Sequence, residues 1–241
     1  MEPAKRSWTV VRATWLTRKP NGRAWFAAAW SLFALILGSV FYWQNLFQSS
    51  KWMSASGFSV FSQHQYWRLW TTLFAHADTG HLVSNSLLFS IFGYFLAGYF
   101  GLFTFPFLAF ALGGVTNAIV LSSYNPEVYL IGVSGVVYWM GGMWLVLYLL
   151  IDQQRTVMQR ILRSVGVALA VFMPSAAFDP QVSYRAHLVG FILGVVSGAI
   201  YYWFNRGKFK AAIVSEVFFE EQPSPPYEEG TDKEDNLILP Y

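Results

Sequence analysis

The feature that most constrains this chain is a series of long apolar segments with almost no charged residues. Six of them approach the roughly 20 residues that a helix needs to cross a bilayer. They lie at about 24–43, 82–100, 102–122, 134–151, 161–178 and 186–204. Only 12% of the 241 residues are charged, against about a quarter in a soluble domain. We therefore predict an all-α polytopic membrane protein, a bundle of six transmembrane helices.

The positions of lysine and arginine predict how the bundle is oriented. They are concentrated before the first span, after the fourth and after the sixth, whereas the opposite side holds only Lys51, Arg68 and Arg185. Cytoplasmic loops carry the excess of basic residues, so both termini are predicted to be cytoplasmic. This pattern also explains the net charge of +3 without a nucleic-acid partner. The lipid bilayer is the partner that it predicts.

Composition divides the chain into three regions. Residues 1–23 form a basic cytoplasmic arm, 24–204 the membrane domain, and 205–241 an acidic, proline-containing cytoplasmic tail that we expect to be disordered. Residues 45–80, between the first two spans, are rich in aromatic side chains and predict an interfacial loop. The chain has no cysteine and no His-Glu-x-x-His motif. We therefore predict no disulfide, no metal and no cofactor.

Three spans begin with unusual polar residues. The second follows "HADTGHLVSN", which contributes His76, His81 and Asn85; the fourth opens at Ser134, and the sixth opens with "YRAHLVG", which contains His187. With the N-terminus inside, these three openings all lie near the outer surface. Polar groups within a membrane are costly, so their convergence predicts a functional site.

The spacing of residues brings these openings together. His81 and Asn85 are four residues apart, and so are Ser134 and Tyr138, so each pair shares one helix face. Small residues let membrane helices approach closely. Glycines follow His187 at helical spacing, at Gly190, Gly194 and Gly198. We therefore predict that the fourth and sixth helices pack closely enough for Ser134 to reach His187.

A serine beside a histidine is sufficient for nucleophilic catalysis, because the imidazole can take the hydroxyl proton and later protonate the leaving group. Ser134 also opens a helix, where unpaired N–H groups and the helix dipole favour negative charge. His81 and Asn85 are candidate side-chain donors to an oxyanion.

Other interpretations of the same residues stay open. A serine in a membrane helix commonly bonds a carbonyl one turn back, Asn85 alone would link two helices, and Tyr138 alone would be a core residue. The residues by themselves support an active site and a transporter or channel cavity about equally.

At these residues the chain resembles the bacterial-type rhomboid intramembrane serine proteases. The matching elements are "YWR" at 66–68, "HADTGHLVSN" at 76–85, "GVSGVVY" at 132–138 and "AHLVGFILG" at 186–194. They occur in the family's order, and the resemblance covers roughly residues 24–204. It implies a six-helix fold, a bacterial inner-membrane location, and substrates that are transmembrane proteins cut near the outer membrane surface.

The resemblance also implies a role for each matching residue. Ser134 would be the nucleophile and His187 the base, and Tyr138 would stack on the imidazole. His81 and Asn85 would join the Ser134 N–H in the oxyanion hole. The resemblance gives supporting roles to the remaining matches, with Gly132, Gly135 and His76 around the site, Trp67 and Arg68 in the interfacial loop, and Gly190 and Gly194 between the fourth and sixth helices.

Two further implications follow. Non-proteolytic relatives, which bind membrane proteins for quality control, usually lack the serine or the histidine, and this chain has both. Many bacterial members carry a glutamate near the inner end of the second helix, where this chain has "GYFLAGYFG". The missing acid bears on packing at the cytoplasmic side of the bundle, not on the serine and histidine.

Overall fold

A computed structural model describes residues 7–172 and 183–219, which are mostly helical. The helices are α1 (Ala24–Trp43), α2 (Ser49–Met53), α3 (Arg68–Thr71), α4 (Thr79–Phe100), α5 (Ala109–Ser122), α6 (Ser134–Ile151), α7 (Val157–Phe172) and α8 (Tyr184–Lys210). Four strands complete it: β1 (Ser7–Ala13), β2 (Ala55–Ser56), β3 (Tyr129–Leu130) and β4 (Val214–Phe219).

Five helical segments within the described residues are long and apolar enough to cross a membrane. They are Ala24–Trp43, Thr79–Phe100, Phe103–Ser122, Ser134–Ile151 and Tyr184–Lys210. The prediction of an all-α polytopic membrane bundle is confirmed. The fifth predicted span, 161–178, overlaps α7 but extends beyond Phe172 into residues outside the described ranges, so a sixth crossing stays a prediction.

Both ends of the described chain meet in a two-stranded ribbon. Strand β1 pairs antiparallel with β4, the Trp8 and Phe218 rings stack at 5.9 Å, and Arg12 forms a 2.8 Å ion pair with Glu216. The structure therefore differs from the disordered tail expected after residue 204. Helix α8 continues to Lys210, and the Val- and Phe-rich segment that follows finds a partner strand in the N-terminal arm. Residues 220–241 lie outside the described ranges.

The segment 45–80 is built from short helices and turns tied to the rest of the protein. Strand β2 pairs with β3, which lies just before α6. Arg68 is buried and donates hydrogen bonds to the carbonyls of Ser54 and Lys51 at 2.7 and 2.6 Å and to the Gln65 side chain at 2.5 Å. Trp67, by contrast, is 53% exposed. One buried guanidinium thus ties together several otherwise irregular turns of this loop.

Helices α6 and α8 approach each other backbone to backbone along a row of glycines. A methyl group on Gly190 would stand 2.2 Å from the Gly135 carbonyl oxygen, and one on Gly194 would stand 2.1 Å from that of Trp139. Both distances are far inside van der Waals contact, so only glycine fits at these positions. The close packing predicted for the fourth and sixth spans is therefore present.

Aromatic side chains fill the end of the bundle at which α4 ends, where the second span lacks a carboxylate. Phe100 contacts the rings of Trp144, Tyr201 and Phe209, and the Tyr201 hydroxyl donates to the Phe100 carbonyl at 3.0 Å. Ring packing and this hydrogen bond hold α4 against α6 and α8 at that end.

We expect Gly194→Ala to lower the free energy of unfolding by about 1–3 kcal/mol, because an added methyl overpacks the α6–α8 contact. Gly207→Ala, in the same helix, is the matched control, because a methyl there meets nothing within 4 Å. Replacing a helical glycine by alanine at an open position should stabilise by up to about 1 kcal/mol. Thermal unfolding in detergent measures both variants, and equal midpoints would contradict the packing argument.

Candidate active site

Ser134 begins α6 after a short loop whose path depends on glycine. Gly132 has a φ of +108°, which side chains other than glycine rarely adopt. A methyl group there would also stand 2.8 Å from the Cε1 atom of His81. The Gly132 N–H donates to the Thr72 carbonyl at 3.0 Å, and the Thr72 hydroxyl donates to the Leu130 carbonyl. This tether fixes the approach to Ser134.

The N-terminus of α6 keeps backbone donors available at the site. Val133 is the N-cap residue, and no side chain of residues 7–172 or 183–219 caps the helix with a hydrogen bond. The Val133 carbonyl accepts from the N–H groups of Val136 and Val137, so the first intrahelical bonds begin only there. The N–H groups of Ser134 and Gly135 precede them, at the positive end of the helix dipole.

His187 lies in the first turn of α8 and stacks on Tyr138 of α6. The two ring centroids are 4.0 Å apart and the rings are inclined by only 12°. Tyr138 is one helical turn beyond Ser134. Because the Gly135 carbonyl also touches Gly190, one turn beyond His187, the first turns of α6 and α8 face each other. Ser134 and His187 are both half-buried on these facing turns.

His81 and Asn85 occupy the first two turns of α4. The carboxylate of Asp78, the N-cap residue, accepts from the His81 N–H at 2.8 Å and so fixes the start of the helix. The imidazole of His81 lies beside Gly132, two residues before Ser134. Asn85 is buried and its side-chain amide donates to the His81 carbonyl at 3.0 Å. Helix α4 therefore places one predicted donor, His81, against the Ser134 loop.

His76 is completely buried between α1 and the start of α4. Its Nδ1 lies 2.9 Å from the Ser39 hydroxyl, its carbonyl accepts from the Trp43 indole at 2.8 Å, and its ring is 5.1 Å from that of His81. Sequence reasoning did not identify Ser39 or Trp43. The available signal was that Ser39 is one of only two serines, with Ser31, inside the first apolar span.

Burial, together with the neighbouring His81, lowers the pKa of His76 to about 3, and only Asp78 acts in the opposite direction. The Nε2 atom is buried and has no hydrogen-bond partner within residues 7–172 and 183–219. Protonation would therefore create a charged N–H group with no acceptor, so His76 is neutral at physiological pH.

The part of the chain that the structure describes holds no group of three histidine, aspartate or glutamate side chains suited to a metal ion. Within the described residues, the side-chain hydrogen bonds of Arg68 go to the 45–80 segment rather than to Ser134. The chemistry available at the site is therefore that of a hydroxyl, imidazoles, an amide and backbone N–H groups.

We predict that the protein loses stability as the pH falls from about 6.5 towards 3. The unfolded chain protonates His76 near pH 6.5, whereas the folded protein does so only near 3, so acid in this window favours unfolding. His76→Asn should flatten this dependence, since asparagine cannot be charged. His64→Asn, at an exposed loop position, is the matched control. Thermal unfolding midpoints from pH 4 to 8 measure the effect, and parallel curves for both variants would contradict it.

Comparison with known proteins gives a family match over most of the membrane bundle. The family model described as the Rhomboid domain matches residues 63–204, more than half of the chain. This range includes Ser134, His187, His81 and Asn85. No curated protein matches the chain. From the match and the helical membrane bundle, we conclude that the chain belongs to the rhomboid family.

Proposed function

We propose that this protein is an intramembrane serine protease that hydrolyses peptide bonds in or near transmembrane segments of membrane proteins. The observation that carries the proposal is the facing pair of helix starts within the rhomboid match. Ser134 opens α6, and His187 is stacked on Tyr138 one turn away. A nucleophile and a base thus lie on adjacent elements that backbone contact holds together.

In the proposed reaction, His187 takes the proton from the Ser134 hydroxyl as its oxygen attacks the scissile carbonyl carbon. The tetrahedral intermediate collapses when the imidazolium protonates the departing amine, which leaves an ester on Ser134. A water molecule, deprotonated by the same imidazole, then hydrolyses the ester and restores both side chains. No carboxylate is needed in this dyad, because stacking on Tyr138 fixes the plane of the imidazole.

Negative charge on the tetrahedral oxygen would be stabilised at the start of α6. The Ser134 N–H, the His81 ring and the Asn85 amide are the proposed donors. Removing one such donor typically costs about 2.7–4 kcal/mol of transition-state stabilisation. One hydrogen of the Asn85 amide nitrogen donates to the His81 carbonyl, and the second hydrogen is the one proposed to donate to the oxyanion.

The proposed topology puts both termini in the cytoplasm and the site at the opposite, non-cytoplasmic face of a bacterial inner membrane. The pairing of β1 with β4 supports a common side for the two termini. Arg18 and Lys208 both lie over the Trp15 ring, two residues after β1, and so at the same end of the bundle. The positive-inside rule assigns that end to the cytoplasm.

Two alternatives fit less well. A non-proteolytic relative that binds membrane proteins would not need Ser134 and His187, yet the chain has both. A transporter of the broken-helix type would carry its polar residues at mid-depth. In this structure they lie in the first turns of α4, α6 and α8.

We expect Ser134→Ala and His187→Ala each to abolish cleavage of a model transmembrane substrate in proteoliposomes. Each removes one partner of the proposed proton transfer, and a serine-reactive fluorophosphonate probe should label wild type but not Ser134→Ala. Ser90→Ala and His64→Ala are matched controls, because Ser90 only bonds the carbonyl of Ser86 in its own helix and His64 lies on an exposed loop. Retained cleavage in either dyad variant would refute the assignment.

Activity should rise with pH through the titration of His187, because only the neutral imidazole can accept the serine proton. Initial rates of probe labelling from pH 4 to 9 measure this rise. Labelling times should be short, and the fold should be checked at each pH by its circular dichroism. Labelling that slows as the pH rises over this range, in protein that stays folded, would contradict a histidine base.

A further inference from the structure

Arg185 occupies an electrostatically unfavourable place in its own helix. It lies in the first turn of α8, where the helix dipole disfavours a cation. The guanidinium is directed away from α8 and donates from Nη1 to the Ser123 carbonyl at 2.7 Å. Ser123 is the C-cap residue of α5, and carbonyls at a helix C-terminus lack intrahelical partners and carry partial negative charge. The positive charge of Arg185 at the start of α8 is thus stabilised by the C-terminal end of α5.

Tyr124 adds two contacts at the same junction. Its ring lies 5.0 Å from the guanidinium carbon of Arg185, a cation–π distance. Its hydroxyl lies 2.9 Å from the Ser183 hydroxyl oxygen, which in turn accepts from the Ala186 N–H at 3.2 Å and caps α8. We call Ser123, Tyr124, Ser183 and Arg185 the α5–α8 latch.

The latch acts on the turn that carries the imidazole. The Ser183 carbonyl accepts from the N–H of His187 at 3.2 Å, so the N-cap residue and the histidine belong to one hydrogen-bonded turn. On its other side, α8 is held by contact between Gly190 and the Gly135 carbonyl. The first turn of α8 therefore has two fixed points, α6 on one side and the end of α5 on the other.

We propose that the α5–α8 latch positions His187 for proton transfer with Ser134. The inference rests on the proposed protease function. The four residues of the α5–α8 latch act through the first turn of α8 and are therefore positioning residues. Proton transfer requires hydrogen-bond geometry between base and nucleophile. A small displacement of a reacting group therefore lowers the rate of the chemical step more than it lowers the affinity for substrate. Loosening the latch should therefore lower kcat and leave KM nearly unchanged.

Two variants test the latch without disturbing the core. Tyr124→Phe removes the hydroxyl but keeps the ring under Arg185, and Arg185→Met removes the charge at similar length. Each should lower kcat about threefold to tenfold with KM within about twofold, the range expected from losing one hydrogen bond of ordinary strength. Arg185→Lys should recover part of the loss, since an ammonium can still donate to the Ser123 carbonyl. The double variant should lose less than the product of the single losses, because both act on one turn.

Tyr42→Phe, near the C-terminal end of α1, is the matched control and should keep wild-type kcat. Wild-type kcat in both latch variants would overturn the proposal. A change in KM without a change in kcat would also overturn it. The same holds if kcat falls only in variants whose thermal unfolding midpoint has fallen in parallel.

Hydrogen exchange tests the latch independently of catalysis. The amides of Ala186 and His187, which bond to Ser183, should exchange severalfold faster in Tyr124→Phe and Arg185→Met than in wild type. Unchanged exchange would overturn the latch even in an active enzyme. If the variants exchange faster but the wild-type protein neither cleaves substrate nor reacts with the probe, the proposed function is refuted. The contacts of the latch would then still be supported as contacts that fix the first turn of α8.

Discussion

Direct contact between the backbones of α6 and α8 is the interaction on which the rest of the site depends. Lipid chains are as apolar as leucine, so helices in a bilayer gain little from burying apolar side chains and associate mainly through close packing. The Gly190 and Gly194 positions, against the carbonyls of Gly135 and Trp139, bring the helix axes near enough for side chains in the first turns to meet. Tyr138 and His187 are stacked because the glycines one and two turns further along permit it.

The polar groups around the site then divide into those that act on α6 and those that act on α8. The Thr72 carbonyl and the His81 ring determine the path through Gly132 to Ser134. The α5–α8 latch determines the first turn of α8. His76, neutral and buried against α1, connects the first transmembrane helix to the loop that precedes His81. Within the described residues, α1, α6 and α8 are therefore each tied by hydrogen bonds at the end of the bundle that holds the site, where lipid packing alone would leave them free to shift.

The apolar segments of the sequence predicted most of the membrane helices. They did not predict contacts between residues that are far apart in the sequence. The predicted spans 24–43 and 134–151 coincide with α1 and α6, since both are bounded by charged or turn-forming residues. Helix α4 begins at Thr79, earlier than the predicted 82, because Asp78 caps it. Glycine spacing predicted the α6–α8 contact. The pairs Ser39–His76 and Tyr124–Ser183 join residues 37 and 59 positions apart, and no periodicity in a single sequence marks such partners. Strand β4 was missed for the same reason, since a six-residue strand is specified by its partner.

The ribbon of β1 and β4 has a consequence for biosynthesis. Its strands pair residues 7–13 with 214–219, so β1 can pair with β4 only after the segment that follows α8 has left the ribosome. Contacts that distant in sequence form late, because the entropy of closing so long a loop opposes them. Each membrane helix can therefore insert in order while the N-terminal arm stays unpaired. Closure of the ribbon then follows insertion of α8, and a polypeptide truncated before Val214 would lack this contact between β1 and the segment after α8.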